Sequence, residues 1–600
     1  MESIKNTKNT TGTIYNLPSK RSYRFDILKA IAIVCVVLYH FGFLKNGYLG
    51  VDIFFVISGF FLMNSYLKKK DSGHFSFLKT IGEKITRFLP LIFIVSIISL
   101  CIGFFTMLPD DFENLGESVV ASNVFCENLL SAVTIKNYWN ISNNYSPLMH
   151  LWYIGLLFQA ELFLLLVFKI ADRFGRKILI ISLVILFVGS FALYLLPFID
   201  DGYKFYLFPF RLFELLAGSL LCFINYKKKG TAFFCVLQFI LTLFLIALML
   251  ISLVQIPNEV YLIITVAMTS LCVFLFNITE ERESKIMRWI SFVGQASFSI
   301  YITHQPVLAF TRYLYTANFT FLITLIDIVI IGLLSYISYL FIEKRLYKVV
   351  SGIRPIKRVI AICIPAVLIC SLGGIVYLRA GVFRDYPELN IYASDVRRGM
   401  HAEYVDIPYS WDKDFEDIEK KHLLVVGDSM ARDWCNILNE SQRADQFEIS
   451  YIYFKNIKET HLKRIDSADY IFYSSYDDSR NVPELLEPYV NNGNFYVVGI
   501  KNFGESNGQV YQKRYQKDYF KTRVKMGYNT TMKMSFLEQN NIQKNHYKDH
   551  YIDLIKLVID ENQMVPVFSD TNKFLSADTE HLTKDGAVFF SKLVDLNFID

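Results

Sequence analysis

Residues 24–61 read RFDILKAIAIVCVVLYHFGFLKNGYLGVDIFFVISGFF, two apolar runs joined by a tight Gly-containing turn. Each run is long enough to cross a bilayer, since a helix needs roughly 20 apolar residues to span the hydrocarbon. Asp26, Lys29, His40 and Asp52 nevertheless sit inside them. Ionisable groups are costly in lipid, so such residues tend to face a bundle interior or a wet cavity and to do work there. Lys29 and His40 stand eleven positions apart, which is about three helical turns and about 16 Å along roughly one face.

The composition agrees with this reading. Of 600 residues, 53% are hydrophobic, 16% aromatic and 20% charged, with a net charge of +5. That is too apolar for an ordinary soluble protein and suits a membrane protein. No dense Lys/Arg block with interleaved aromatics points to nucleic acid. The nine cysteines are scattered, mostly within apolar runs and without a CxxC pair. They read as buried small hydrophobes, neither a disulfide framework nor a metal site. Residues 1–23 are polar and basic, and no cleavable signal peptide is expected.

Apolar segments recur at about 24–44, 48–67, 88–108, 148–170, 178–198, 205–225, 232–254, 259–277, 290–313, 321–342 and 358–378. Their lengths predict about eleven membrane-spanning helices. Cations gather in alternate loops: Lys5, Lys8, Lys20 and Arg21; Lys68, Lys69 and Lys70; Arg173, Arg176 and Lys177; Lys227, Lys228 and Lys229; Arg282, Lys285 and Arg288; and Lys344, Arg345, Lys348, Arg354, Lys357 and Arg358. The positive-inside rule then predicts a cytoplasmic N-terminus and, with an odd number of spans, places the chain after about residue 380 outside the cytoplasm.

Residues 380–600 are more polar. Short β-rich runs at His422–Val426, Tyr470–Tyr473, Phe495–Ile500 and Val565–Phe568 alternate with segments of helical character such as Tyr551–Asp560. This alternation predicts an α/β domain with a parallel sheet. The first strand runs directly into Gly427-Asp428-Ser429-Met430, a Ser at a strand's carboxyl end opening a helix, where an α/β fold can expose a nucleophile. Near the C-terminus stands Asp578-Thr579-Glu580-His581. An Asp three residues before a His can orient the imidazole, which can then take a serine proton.

The opening stretch resembles the acyltransferase-3 family of bacterial membrane proteins. That family has a basic residue, ten intervening positions and a histidine in its first helix, followed by the run found here at Gly50–Phe60, though many members carry Arg in place of Lys29. Lys84-Ile85-Thr86-Arg87-Phe88-Leu89-Pro90 resembles the family's Arg-x-x-Arg-x-x-Pro, with Lys84 replacing the first Arg. Basic groups there could hold the phosphates of a coenzyme A ester. Pro147–Tyr153, with His150 and Trp152, resembles the family's His-x-Trp segment, although Leu157 and Phe158 stand where many members have two Glu residues. Ser299–Pro306, with His304, also fits. Asp52, His150, Arg211, Glu214 and His304 are the pore-lining candidates, and Arg211 and Glu214, three apart, can pair. The order Ser…Asp…His in the C-terminal part resembles the SGNH-hydrolase family. This resemblance implies Ser429 as nucleophile, His581 as base, Asp578 as orienting acid, and Asn502 with the Ser429 N–H as oxyanion donors.

Together the resemblances imply an acyltransferase-3 transmembrane domain at 24–345 after a cytoplasmic segment 1–23. A cytoplasmic loop and further helix follow at 346–380, a linker at 381–420, and an extracytoplasmic SGNH-like domain at 421–600. The implied activity is O-acetylation of a cell-surface glycan from cytoplasmic acetyl-CoA, with no tightly bound cofactor. His40 would be base or acyl relay, tuned by Lys29. Lipopolysaccharide O-antigen is the favoured acceptor and peptidoglycan the alternative. A transporter with a tethered esterase is the rival reading.

Overall fold

The structure, a computed structural model, describes residues 22–134, 144–224, 232–251, 256–279 and 284–599. Lys5, Lys8, Lys20, Arg21, Lys227, Lys228, Lys229 and Arg282 lie outside the described residues.

The quoted stretch folds as a helical hairpin. Helix Tyr23–His40 and helix Gly50–Asp71 are joined by a single 3-10 turn, Gly47–Leu49. The turn can be this tight because Gly50 presses on the first helix: a Cβ there would lie 2.4 Å from the Ala32 carbonyl oxygen. Among the described residues nine helices are long and apolar enough to cross a membrane, from Gly47–Asp71 to Ile356–Leu378. Two expected spans are not among them, for a shared reason. Tyr23–His40 carries Arg24, Asp26 and Lys29, and the segment expected at 290–313 divides into Lys285–Gln295 and polar-rich Ser297–Leu314. Both are helices nonetheless. They sit inside the bundle, where Arg24, Asp26, His40, Ser299, His304 and Gln305 are buried by neighbouring helices.

Two short helices, Pro109–Asn123 and Glu127–Thr134, fill the segment between the expected third and fourth spans. They were not foreseen because they are too short and polar to span. The buried Glu127 is held by the Ser118 and Ser122 hydroxyls at 2.7 and 3.1 Å. Helix Pro355–Leu378 packs on Pro109–Asn123 and on Phe77–Thr106. The cysteine expectation holds in part. Cys35, Cys222, Cys272 and Cys435 are buried, whereas Cys101, Cys235 and Cys363 are exposed. Those three lie on spanning helices whose outer faces are apolar and have no protein neighbour to cover them.

The C-terminal part contains a five-stranded, all-parallel sheet in the order β2-β1-β3-β4-β8. Its strands are β1 Lys421–Gly427, β2 Phe447–Tyr453, β3 Tyr470–Ser474, β4 Phe495–Val498 and β8 Tyr551–Ile552. A sheet covered on both faces needs strands without alternation, and Leu423, Leu424, Val425 and Val426 are all fully buried. Three short strands fall between β4 and β8 in sequence: β5 Arg523–Lys525, β6 Tyr528–Asn529 and β7 Met534–Ser535. They and β9 Met564–Pro566 form the antiparallel pairs β5–β9 and β6–β7. Two expectations are corrected here. The Val565–Phe568 run belongs to the side pair, not the main sheet. Tyr551–Asp560 is not helical, because Tyr551 and Ile552 complete the sheet edge against β4 and Asp553 then turns the chain by accepting the Lys556 N–H at 3.0 Å. The preceding helix is Phe536–Tyr547.

The two parts are docked. Helix Asn507–Tyr511 packs on Tyr313 of the bundle, and Gln509 donates to the Arg312 carbonyl at 2.7 Å. Gln512 reaches the Thr106 carbonyl at 2.9 Å, and Leu108 joins Tyr511, Phe568 and Phe574 in one apolar cluster.

Candidate active site

β1 delivers Ser429 to the junction of the sheet and helix Ser429–Asn439. The turn between them requires glycine. Gly427 has φ +153°, and a Cβ on it would meet the Ser474 carbonyl oxygen at 1.8 Å. Asp428 caps the helix, accepting from the Met430 N–H at 2.9 Å, and also takes the Tyr476 N–H at 2.7 Å. These bonds fix the backbone on both sides of Ser429, which is half-buried.

Asp578 and His581 form one unit. His581 Nδ1 lies 2.5 Å from Asp578 Oδ2, and Asp578 Oδ1 accepts the Glu580 and His581 N–H groups at 3.0 and 2.8 Å. The loop is brought to the Ser429 helix by Asp433, one turn beyond the serine and on the same face. Asp433 accepts the Leu582 N–H at 3.2 Å and pairs with Lys501 at 2.5 Å, both side chains being buried. Desolvation disfavours the Asp578 carboxylate, but the His581 imidazolium and the backbone N–H groups outweigh it and hold that carboxyl far below the usual range. Desolvation likewise disfavours the imidazolium, and Asp578 outweighs it, raising His581 to about 9. Asn502 is buried, and its side-chain oxygen accepts the Gly504 and Gly527 N–H groups at 3.0 and 2.7 Å, so its amide nitrogen remains as a donor.

Within the bundle the expected residues separate into three places. His40, His150 and His304 cluster, with ring centroids 5.1 Å apart for His40–His304 and 5.3 Å for His150–His304, all buried. Arg312 donates to the His40 carbonyl. Lys29 is elsewhere. The helix Tyr23–His40 carries it to the far end of the bundle, into a cavity of about 530 Å3 that Lys69, Lys84 and Arg87 also line. Lys29 and His40 thus share a helix but not a site. Lys84 is paired with the buried Glu161 at 2.7 Å. Tyr153 and Tyr301 form part of the cavity wall, and the Tyr301 ring is 5.3 Å from His150 and 5.6 Å from His304. Asp52, Arg211 and Glu214 make the third group, a fully buried ion triad in which Arg211 bonds both carboxylates.

Sequence reasoning missed Lys501 and Asp433. The available signal was spacing: Asp433 is four residues after Ser429, and Lys501 adjoins Asn502. It also missed Asp110, at the bundle surface. Desolvation and then the Asp578 carboxylate push Asp110 up to about 6 while His581 draws it down. The Asp–His pair directly follows Ser576 and Ala577, whose carbonyls accept from Asn507 on the short helix that packs against Tyr313 of the bundle.

A family profile described as an acyltransferase domain matches residues 22–343. O-acetyltransferase OatA of Staphylococcus aureus strain MRSA252 is 25% identical over 468 residues, covering 69% of this chain and 74% of the relative. The OatA of strain NCTC 8325 is 25% identical over 469 residues with the same coverage. No solved structure matches. The profile covers more than half of the chain and takes in the hairpin, the histidine cluster and the basic cavity, and so the protein belongs to the acyltransferase-3 family and is a multi-pass membrane acyltransferase.

Proposed function

We propose that the protein carries an acetyl group from cytoplasmic acetyl-CoA to a hydroxyl of a glycan outside the membrane. The basic cavity faces the cytosol and holds the donor, with Lys84 and Arg87 on its phosphates. The acyl group passes by way of His40, with His150 and His304 beside it, to Ser429. His581, oriented by Asp578, takes the serine proton as Oγ attacks the acyl carbonyl, and Asn502 and the Ser429 N–H receive the oxyanion. One arrangement carries this reading: the Ser429 and Asp578–His581 constellation is docked on the end of the bundle opposite the basic cavity, with buried histidines between. A donor confined to one face and a nucleophile on the other need such a passage.

The acceptor is a cell-envelope glycan, peptidoglycan or lipopolysaccharide O-antigen, and the relatives named O-acetyltransferase support the reaction type. The test supplies labelled acetyl-CoA to inside-out vesicles. Label is expected on Ser429, and His40→Ala is expected to abolish it while the protein still inserts. Unlabelled Ser429 in the wild type would sink the transferase reading, and undiminished label in the variant would remove His40 from the path.

A further inference from the structure

A second cavity, of about 930 Å3, lies between the two parts of the chain. Its floor is the bundle end that carries the C-terminal domain, including the turn at Lys45 and Asn46 and the start of the short helix Asp201–Tyr206 with its cap Asp200. Its roof is the β6–β7 hairpin, through Tyr528, Thr530, Thr531 and Lys533. The volume lies within the roughly 300–1,000 Å3 range of ordinary small-molecule sites.

The lining has a definite chemistry. Tyr39, Trp152, Tyr194 and Phe205 supply aromatic surface. Arg211 is paired with Asp52, Lys204 lies 3.7 Å from Asp201, and the further lining cations Lys45 and Lys533 are matched in number by Asp200 and Glu259, so the wall carries no excess of either sign. Such a wall does not select a polyanion. It suits a ligand with hydroxyls for the carboxylates and flat C–H faces for the rings, which describes uncharged pyranose units.

The roof also leads to the nucleophile. Gly527, at the hairpin's base, donates to Asn502 at 2.7 Å. Asn529 donates to the Tyr476 carbonyl at 3.0 Å, and Tyr476 in turn donates to Asp428. Phe536, directly after the hairpin, packs with Met430. Asp428 and Met430 flank Ser429, so the hairpin connects to the serine's neighbours through Tyr476 and Phe536.

We propose that this interdomain cavity is the acceptor subsite and holds uncharged sugar rings adjoining the hydroxyl that is acylated. The assignment rests on the transferase reading above. In the step it serves, the sugar oxygen attacks the acyl carbonyl on Ser429 as its proton passes to His581 Nε2. The bond from carbonyl carbon to Ser429 Oγ then breaks, and the proton returns to Oγ. The cavity residues change no bonds and act through acceptor affinity.

The test uses the full-length protein in nanodiscs, 4-nitrophenyl acetate as acyl donor and an uncharged β-1,4-linked N-acetylglucosamine oligomer as acceptor. Thr531→Trp fills the cavity from an exposed position, and Tyr528→Ala, also exposed, removes ring surface. Each is expected to raise the acceptor KM at least fivefold with kcat for transfer within twofold of wild type. A KM within twofold of wild type in both variants would overturn the subsite while leaving the transferase reading intact. Release of nitrophenol by the wild type with no acetylated oligomer formed would overturn the transferase reading, and the subsite with it.

Discussion

His581 can accept the Ser429 proton only when its imidazole is neutral. Desolvation lowers the affinity of that ring for a proton, but Asp578 at 2.5 Å more than restores it and carries the pKa to about 9. The sign follows directly: below about 9 the imidazolium predominates, and the competent fraction rises with pH. Hydrolysis of an acetyl ester by Ser429 is therefore expected to increase about tenfold per pH unit between 6 and 8 and to level off above 9. A rate flat from pH 6 to 8 would show that His581 is not the base. The motif Asp578-Thr579-Glu580-His581 made this pair legible in the sequence because its members are three residues apart. The Lys501–Asp433 pair beside it was not legible, since 68 residues separate its partners. Breaking a buried pair leaves an uncompensated charge, so these two side chains fix the His581 loop through their mutual constraint.

Among the elements, the β1-to-helix junction is the most exacting. Gly427 combines a φ that disfavours any Cβ with a 1.8 Å approach to the Ser474 carbonyl. Gly427→Ala is expected to cost at least about 3 kcal/mol from backbone strain and overpacking combined. Loss of fluorophosphonate labelling at Ser429, with the membrane bundle still assembled by thermal unfolding, is the expected result; wild-type labelling would show that the turn relaxes freely. The apolar run of β1 announced a buried strand. β8 was not announced, because two residues suffice at a sheet edge once β4 offers its free side, and the tertiary partner overrides local helical character there.

For the molecule as a whole, helix Asn507–Tyr511 joins the two parts. Gly508 faces Tyr313, a Cβ there lying 2.1 Å from its ring, while Asn507 donates to the Ser576 and Ala577 carbonyls at 2.8 and 3.0 Å, just before Asp578. A side chain at position 508 must push the domains apart. Gly508→Leu is expected to lower acetyl-CoA-dependent glycan acetylation at least about tenfold while Ser429 stays reactive to a fluorophosphonate. Equal loss of both would mean that the outer domain, not its docking, had failed. The positions of the nine spans among the described residues followed from hydropathy. The docking face did not, since its contacts are single hydrogen bonds and one glycine scattered over the chain.

Hydropathy and short-range spacing were enough to read a helical bundle joined to a parallel α/β domain and to put forward the serine, the Asp–His pair and the histidines as candidates. Hydrophobic length and short-range spacing are local properties, and these features are written in them. Only packing decided that three histidines distant in sequence meet and that a cavity opens between the bundle and the C-terminal part. Each of these depends on residues brought together across more than a hundred positions, where packing between elements, not any local pattern, sets the distance.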